Sequence, residues 1–425
     1  MVVWLLTAAW TAGGLVLWLM FPMTATVLLP LCAVAPLAAW YWTTERRLHA
    51  PSPVTLALIL AGVYLLINAS WSLSPSSAFR AVVLVFLIAG VLHVVLNALS
   101  ELEAPLPRAM AMGVLAGVMA SSVLLCFEIF SEQALRRLLI RLVPALQPNP
   151  LHVEMEGGQV ARLMPYLPNV SVSVLTLVFW SAVLMASRLG LVRRHRYAAL
   201  TAFALIVTTV LASEHATSQI AFAGAGVAFA VFLVRPSMAK PLMIAGWVAA
   251  ILFVVPIASL LYGAEAYRAT WLPESARHRV VIWGFTSEQV AKAPFFGSGI
   301  GTARALNEAR SPEGPLAPGT KFQLGTSLHS HNAYLQVWYE AGAAGALILL
   351  GLGLLILRAL TKFPAEVQPY LAATFVAGAL LAVSGFSIWA PWFMASLAMV
   401  GIFASLGAAL PAGGGAEAAP ASSLR

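Results

Sequence analysis

His329-Ser330-His331-Asn332 stand directly before an apolar run that opens at Tyr334. A helix start exposes unpaired backbone N–H groups and the positive end of the helix dipole. Such a place draws phosphate and disfavours imidazolium, so a histidine there tends to be neutral and able to accept a proton. Two interfacial histidines can equally be hydrogen-bonded structure and nothing more. Upstream, a helix is expected over 276–293, and in it Arg279 and Trp283, four residues apart, share one face. Pro294 ends that helix, and Gly297, Gly299 and Gly301 allow a tight turn into a short helix near 302–309 that carries Arg304. Gly-x-Gly-x-Gly suggests a phosphate cradle, but no strand precedes it, and a packing turn is the better reading. Zinc would need a third ligand, and none is spaced for it. All 16 acidic residues are glutamates, with no aspartate anywhere. That disfavours metal-dependent glycosyl transfer and phosphotransfer, which usually hold their cation with aspartates.

The elements that must position these residues are membrane helices. Of 425 residues, 60% are hydrophobic and 9% charged, and the mean hydropathy is +0.88. A soluble domain carries about 25% charged residues, so this chain cannot cover a water-facing surface. The apolar residues also fall in runs of about twenty, the length that spans a bilayer core. An all-α transmembrane bundle of about twelve helices is predicted, one domain over 1–410 with a disordered cytoplasmic tail at 411–425. Spans are placed at 2–20, 22–42, 54–71, 80–99, 109–130, 169–187, 198–212, 218–234, 241–262, 332–357, 368–387 and 390–408. No basic residue precedes the first run, so it reads as a retained span and not a cleaved signal.

Short loops on one side carry eleven basic residues, Arg46, Arg47, Arg193 and Arg194 among them; those on the other offer only Arg80. By the positive-inside rule the first side is cytoplasmic and holds both termini. The loops 131–168 and 263–331 then lie outside, with eleven basic and eight acidic residues, a net of +3. Such a modest field leaves any anion site to local clustering, and nothing in it points to nucleic acid. In the first loop Leu135, Leu138, Leu139, Leu142 and Val143 recur at helical spacing, with Arg136, Arg137 and Arg141 opposite. An interfacial amphipathic helix follows, its arginines meeting lipid headgroups. Glu340 lies nine residues after His331, about 13.5 Å along a helix, where an ionisable group is either functional or a structural hydrogen-bond partner. Glu128 reads as interfacial. Phe386, Trp389, Trp392 and Phe393 read as an aromatic belt.

Three blocks together resemble the O-antigen ligase and O-antigen polymerase superfamily. His329-Ser330-His331-Asn332-Ala333-Tyr334-Leu335, with Glu340-Ala341-Gly342 and Gly345, is similar to the His-Asn pair that ends the family's large periplasmic loop and begins a helix bearing Glu-x-Gly. Arg279-Val280-Val281-Ile282-Trp283 with Pro294, Phe296, Gly297 and Gly299 looks like its Arg-x-x-x-Trp segment. Arg162 with Pro168-Asn169 is similar to its Arg and Pro-Asn segment after the first outer loop. Order and topology agree over roughly 155–345. One departure stands out: where many members carry Ser-Arg, this chain reads Ser213-Glu214-His215-Ala216-Thr217-Ser218-Gln219. Gln219 takes the arginine's place, or His215 stands in for it; otherwise the segment is a solvated turn.

The resemblance implies a glycosyltransferase of the bacterial inner membrane with its active site on the periplasmic face. It would transfer an O-antigen glycan from undecaprenyl diphosphate to a hydroxyl of lipid A-core, without metal or cofactor and with inversion. Arginines would meet the departing diphosphate through their planar fork: Arg279 and Arg162 first, then Arg277 and Arg304, with His215 and Gln219 as further contacts. His331 would take the acceptor proton, with His329 orienting it and Trp283, Asn332, Asn169 and Glu340 as further candidates. An O-antigen polymerase or a protein O-oligosaccharyltransferase would use the same residues on another acceptor. A lipid-linked glycan transporter would instead place its polar groups near the midplane.

Overall fold

In a bilayer no water satisfies the backbone, so apolar runs close their hydrogen bonds within themselves as helices. The computed structural model describes residues 2–43, 49–103, 105–143, 146, 152–157, 159–311 and 314–411. Arg46, Arg47 and the expected disordered tail from residue 412 onward lie outside the described residues. The chain runs through α1 (Val2–Met20), α2 (Ala25–Cys32), α3 (Val34–Thr43), α4 (Pro53–Asn68), α5 (Pro75–Glu101), α6 (Pro105–Phe130) and α7 (Ala134–Leu142). A hairpin of β1 (Val153–Glu156) and β2 (Gln159–Leu163) leads to α8 (Asn169–Arg188), α9 (Leu191–Arg194), α10 (Arg196–Ala212) and α11 (Ala216–Val234). There follow α12 (Pro236–Leu252), α13 (Val254–Gly263), α14 (Glu274–Lys292), α15 (Thr302–Glu308), α16 (Ala333–Leu360), α17 (Gln368–Ser384) and α18 (Pro391–Ala409).

The fold is a membrane bundle, nearly all helical, as expected. By length and composition eight helices among the described residues can cross a membrane. Helices α12 and α13 are bent by 59° at their junction and count as a ninth if the pair is taken as one span. Pro256 explains the bend, since it has no N–H to offer the carbonyl four residues back. Of the other expected spans, 22–42 is broken, with Pro30 inside α2, and α10 and α17 are short at 17 residues each. Helix α8 is the central post, buried along most of its length. Helices α1 and α6 meet where Gly113 and Gly117 face Ala8 and Ala12: a Cβ at Gly113 would stand 2.5 Å from the Ala8 carbonyl oxygen. Small residues four apart let two backbones approach in this way.

The first long loop differs from expectation. Its amphipathic helix forms as α7, but Arg136 and Arg137 bond within the protein, and of the three arginines Arg141 alone is exposed. Arg136 pairs with Glu128 at 3.6 Å and donates to Ser171 Oγ at 3.2 Å. Arg137 donates to the Ala161 carbonyl at 3.1 Å and to Ser131 O at 3.3 Å. Glu128 is fully buried, not interfacial, and accepts from the Leu135 N–H at 2.8 Å and the Arg136 N–H at 3.3 Å. A carboxylate at a helix start meets the donors that have no partner within the helix. Glu128→Ala should therefore leave Arg136 buried without its ion pair, costing about 3–5 kcal/mol. The expected result is a lower thermal midpoint and faster proteolytic cleavage within 131–168; cleavage at the parental rate would show that α7 docks without this carboxylate.

The aromatic cluster is also internal. Phe393 is fully buried, Trp392 is 8% exposed, and Phe386 packs edge-on against Trp392 at 4.6 Å. Trp392 and Phe393 thus fill the bundle instead of forming a belt, while Phe386 and Trp389 are half-buried.

Candidate active site

The amphipathic helix α14 forms one wall of the site. Its buried face (Val280, Val281, Ile282, Gly284) fixes it to the bundle, which leaves Arg279 half-buried at the site. The Trp283 indole N–H donates to the Ser330 carbonyl at 3.0 Å and so clamps the histidine segment onto α14. Asn332 caps α16, its Oδ1 accepting the Leu335 N–H at 3.0 Å. This is a local structural duty of the kind asparagine performs best. His331, just before the cap, has φ +49°, a left-handed conformation uncommon outside glycine and asparagine. It is held there by its own N–H, which donates to His329 Nδ1 at 3.0 Å. The two rings lie 4.1 Å apart. His329 Nδ1 is thus committed, while His331 Nδ1 is buried with no hydrogen-bond partner among the described residues.

A third histidine arrives from the turn between α10 and α11. His215 Nδ1 contacts Ser218 Oγ at 2.7 Å and Ser173 Oγ at 3.1 Å, tying that turn to α8. The charge of Arg279 reaches all three rings. Burial first, and then positive neighbours, push His331 down to about 3 and His329 and His215 down to about 4. The neighbours acting on His331 are His329, Arg279 and His278; on His329 they are Arg304 and Arg279. Arg279 itself makes no ion pair among the described residues, and burial lowers its pKa. The result is a half-buried, unpaired guanidinium beside neutral imidazoles. Charge left in this condition is costly unless an anion compensates it.

The other expected residues are placed differently. Arg304 is exposed, near His329 and 3.8 Å from Glu308. Arg277 lies two residues from Arg279, on the opposite side of α14, with its guanidinium 5.9 Å from the Phe322 ring. Arg162 sits exposed on β2 opposite Glu154, beside a small cavity of about 190 Å³ that Glu128, Asn169 and Glu214 also line. Gln219 turns inward and donates to Ser213 O at 2.9 Å and Leu211 O at 3.1 Å, so its amide closes the α10–α11 turn.

Below the histidines, α16 breaks at Gly342, with φ +64° and ψ −167°. The Gly297-Ser298-Gly299 turn fills the break. Ser298 N donates to Tyr339 O at 2.9 Å and Gly299 N to Glu340 O at 3.0 Å, while Ala343 N donates to Pro294 O at 2.8 Å and Ala344 N to Phe295 O at 3.1 Å. The glycine motif is a packing turn, as expected. Glu340 is buried beside it, accepting the Ala303 N–H at 2.8 Å, the Gln336 amide at 3.2 Å and the Trp389 indole N–H. Asn68 of α4 completes the junction, donating to Phe296 O and Glu340 O and accepting from Ile300 N, all at 3.0–3.1 Å. Sequence reasoning missed Asn68, although a lone amide in an apolar span was a usable signal. Ser173, Ser218 and His278 were also missed, and nothing local marks them.

Comparison with known proteins bears on this arrangement. Residues 201–350 match the family model described as O-antigen ligase. Over that segment the chain carries an O-antigen ligase family domain. The matched segment includes His215, Arg279 and both histidines of the pair, whereas Arg162 and Pro168-Asn169 lie outside it. Two proteins named "Putative polysaccharide ligase", from Rickettsia felis and Rickettsia conorii, are similar at 26% identity over 238 residues and 25% over 236. Each alignment covers 54% of this chain, and it spans about half the length of the relatives, 56% and 55%. The matched segment thus holds α14, the loop that follows it and the histidine pair.

Proposed function

We propose that this chain is a glycosyltransferase that moves a glycan from a polyprenyl diphosphate, undecaprenyl diphosphate in the bacterial inner membrane, onto an acceptor hydroxyl. The observation that carries the reading is the unpaired, half-buried Arg279 among three neutral histidines. A diphosphate leaving group needs no further activation, and fixed cations stabilise the charge it takes away. Arginine's planar fork matches its oxygens. As the acceptor oxygen bonds to the anomeric carbon, the bond from that carbon to the diphosphate breaks and the hydroxyl proton passes to His331. Direct attack inverts the anomeric carbon.

His331 is the freer base, because His329 is already bound to the backbone. A base held near 3 is a weak one. The bound diphosphate corrects this: its negative charge opposes the field of Arg279 and raises His331 when substrate is present. The family's membership and the basic loop favour lipid A-core as the acceptor, with the site on the periplasmic face. In a deletion strain, a ligase role predicts loss of all glycan on lipid A-core and accumulation of carrier-linked polymer; attachment of single repeats would instead indicate a polymerase.

Arg279→Gln should reduce transfer by about 10²–10³-fold, and Arg279→Lys should recover only part, since it restores charge without the fork. The assay is transfer of labelled glycan from carrier to acceptor by protein purified in detergent. Parental rates in Arg279→Gln would sink the reading.

A further inference from the structure

Helix α14 carries a second polar stripe. Glu274, His278 and Ile282 follow one another at four-residue spacing, rotated by about 100° from Arg279 and Trp283. They line a cleft of about 660 Å³ whose other wall includes Asn307, Arg310, Lys321 and Phe322, and His278 stands near enough to the histidine pair for its charge to act on His331. That volume is within the range of about 300–1,000 Å³ usual for small-molecule sites. Lys321 bridges to Glu274 at 2.7 Å and pins the loop to the start of α14. The loop closes on itself through Ala317 N to Phe322 O and Leu324 N to Pro315 O, both 2.8 Å.

The charge left over is that of Arg310. Its Nη1 donates to the Thr326 carbonyl at 3.3 Å, whereas Nη2 is buried with no partner among the described residues. Gly325 makes room for it: a Cβ there would stand 3.0 Å from Arg310 Cζ. His278 stacks on Phe322 at 5.2 Å, and burial together with the charges of Arg310 and Arg279 lowers its pKa. The cleft thus offers a guanidinium donor without an acceptor, a neutral imidazole, and a small apolar floor made by the edges of the largely buried Ile282 and Phe322. A carboxylate or phosphate suits the first, hydroxyls the second, and the C–H face of a pyranose the third.

We propose that this cleft binds an anionic sugar, one bearing a carboxylate or phosphate, at a site beside the histidine pair and about a quarter-turn from Arg279 on the same helix. It rests on the glycan-transfer reading only in making the ligand part of a glycan substrate; binding is measurable without turnover. The test uses full-length protein in detergent micelles and titration calorimetry with digalacturonic acid, glucose 6-phosphate, maltose and inorganic phosphate.

At least one acidic sugar should bind, the tighter of the two telling carboxylate from phosphate. Maltose and inorganic phosphate should bind at least tenfold more weakly. Arg310→Gln should weaken the acidic sugar about tenfold or more, while Arg279→Gln and His331→Ala should retain it even where transfer is lost. If Arg310→Gln fails to fold, Asn307→Trp, which fills the cleft from its wall, should remove binding at an unchanged thermal midpoint. The proposal is overturned if neither acidic sugar binds, if maltose or inorganic phosphate binds as tightly, or if Arg279→Gln abolishes binding and Arg310→Gln or Asn307→Trp does not.

Discussion

His331→Ala is expected to lose transfer by about 10²–10⁴-fold, the usual worth of a positioned general base, while its thermal midpoint stays near the parental value. His331→Asn separates ring from backbone, because asparagine tolerates the left-handed φ of +49°; it should be as inactive as the alanine variant. His329→Ala should lose less, since it removes the acceptor that holds the His331 N–H and leaves the base itself. The pH profile gives an independent readout. Protonation removes the base, so activity falls as pH falls through the pKa in the state concerned. For the free protein His331 and His329 lie at about 3 and about 4, so kcat/KM should stay level from pH 8 to about pH 5. An ordinary histidine, near 6.5, would already have titrated. With the diphosphate bound His331 is raised, so the acid limb of kcat should lie at higher pH than that of kcat/KM. A parental rate in His331→Ala would end the base assignment.

The parts of this site legible in the sequence are those set by local rules. Periodicity placed α14 and the i, i+4 relation of Arg279 and Trp283, and the apolar run after Asn332 placed the start of α16. Neither rule says where an arginine side chain ends up. Arg136 and Arg137 look like headgroup ligands on a helical wheel, yet Glu128, Ser171 and the Ala161 carbonyl lie within their reach in three dimensions. His215 was open in the sequence between a contact to the diphosphate and one end of a solvated turn. Its place beside Ser173 and within the field of Arg279 depends on the packing of α8, α11 and α14, which brings together residues more than forty positions apart in the chain. The hairpin β1–β2 was missed because its strands are four and five residues long, too short for alternation to show.

The Gly342 junction shows how a motif read one way locally acquires a function from its partner. The Gly297-x-Gly-x-Gly turn and the Glu340-x-Gly342 pair lie far apart in the chain, and each supplies the hydrogen bonds the other lacks. A Cβ at Gly342 would stand 2.5 Å from the Gly297 nitrogen and the Phe295 carbonyl, and its φ/ψ is open almost only to glycine. Strain and overpacking together should make Gly342→Ala cost on the order of 4 kcal/mol. Gly297→Ala should resemble it, since its Cβ would stand 2.4 Å from the Glu340 backbone. Gly351, on the same helix with open space around it, provides the control: Gly351→Ala should unfold like the parent. Because the junction sets the height of α16 against α14, any folded Gly342→Ala protein should also lose transfer more than it loses substrate binding. Unfolding of Gly342→Ala at the Gly351→Ala temperature, with full transfer, would mean that the break in α16 can be repaired without this turn.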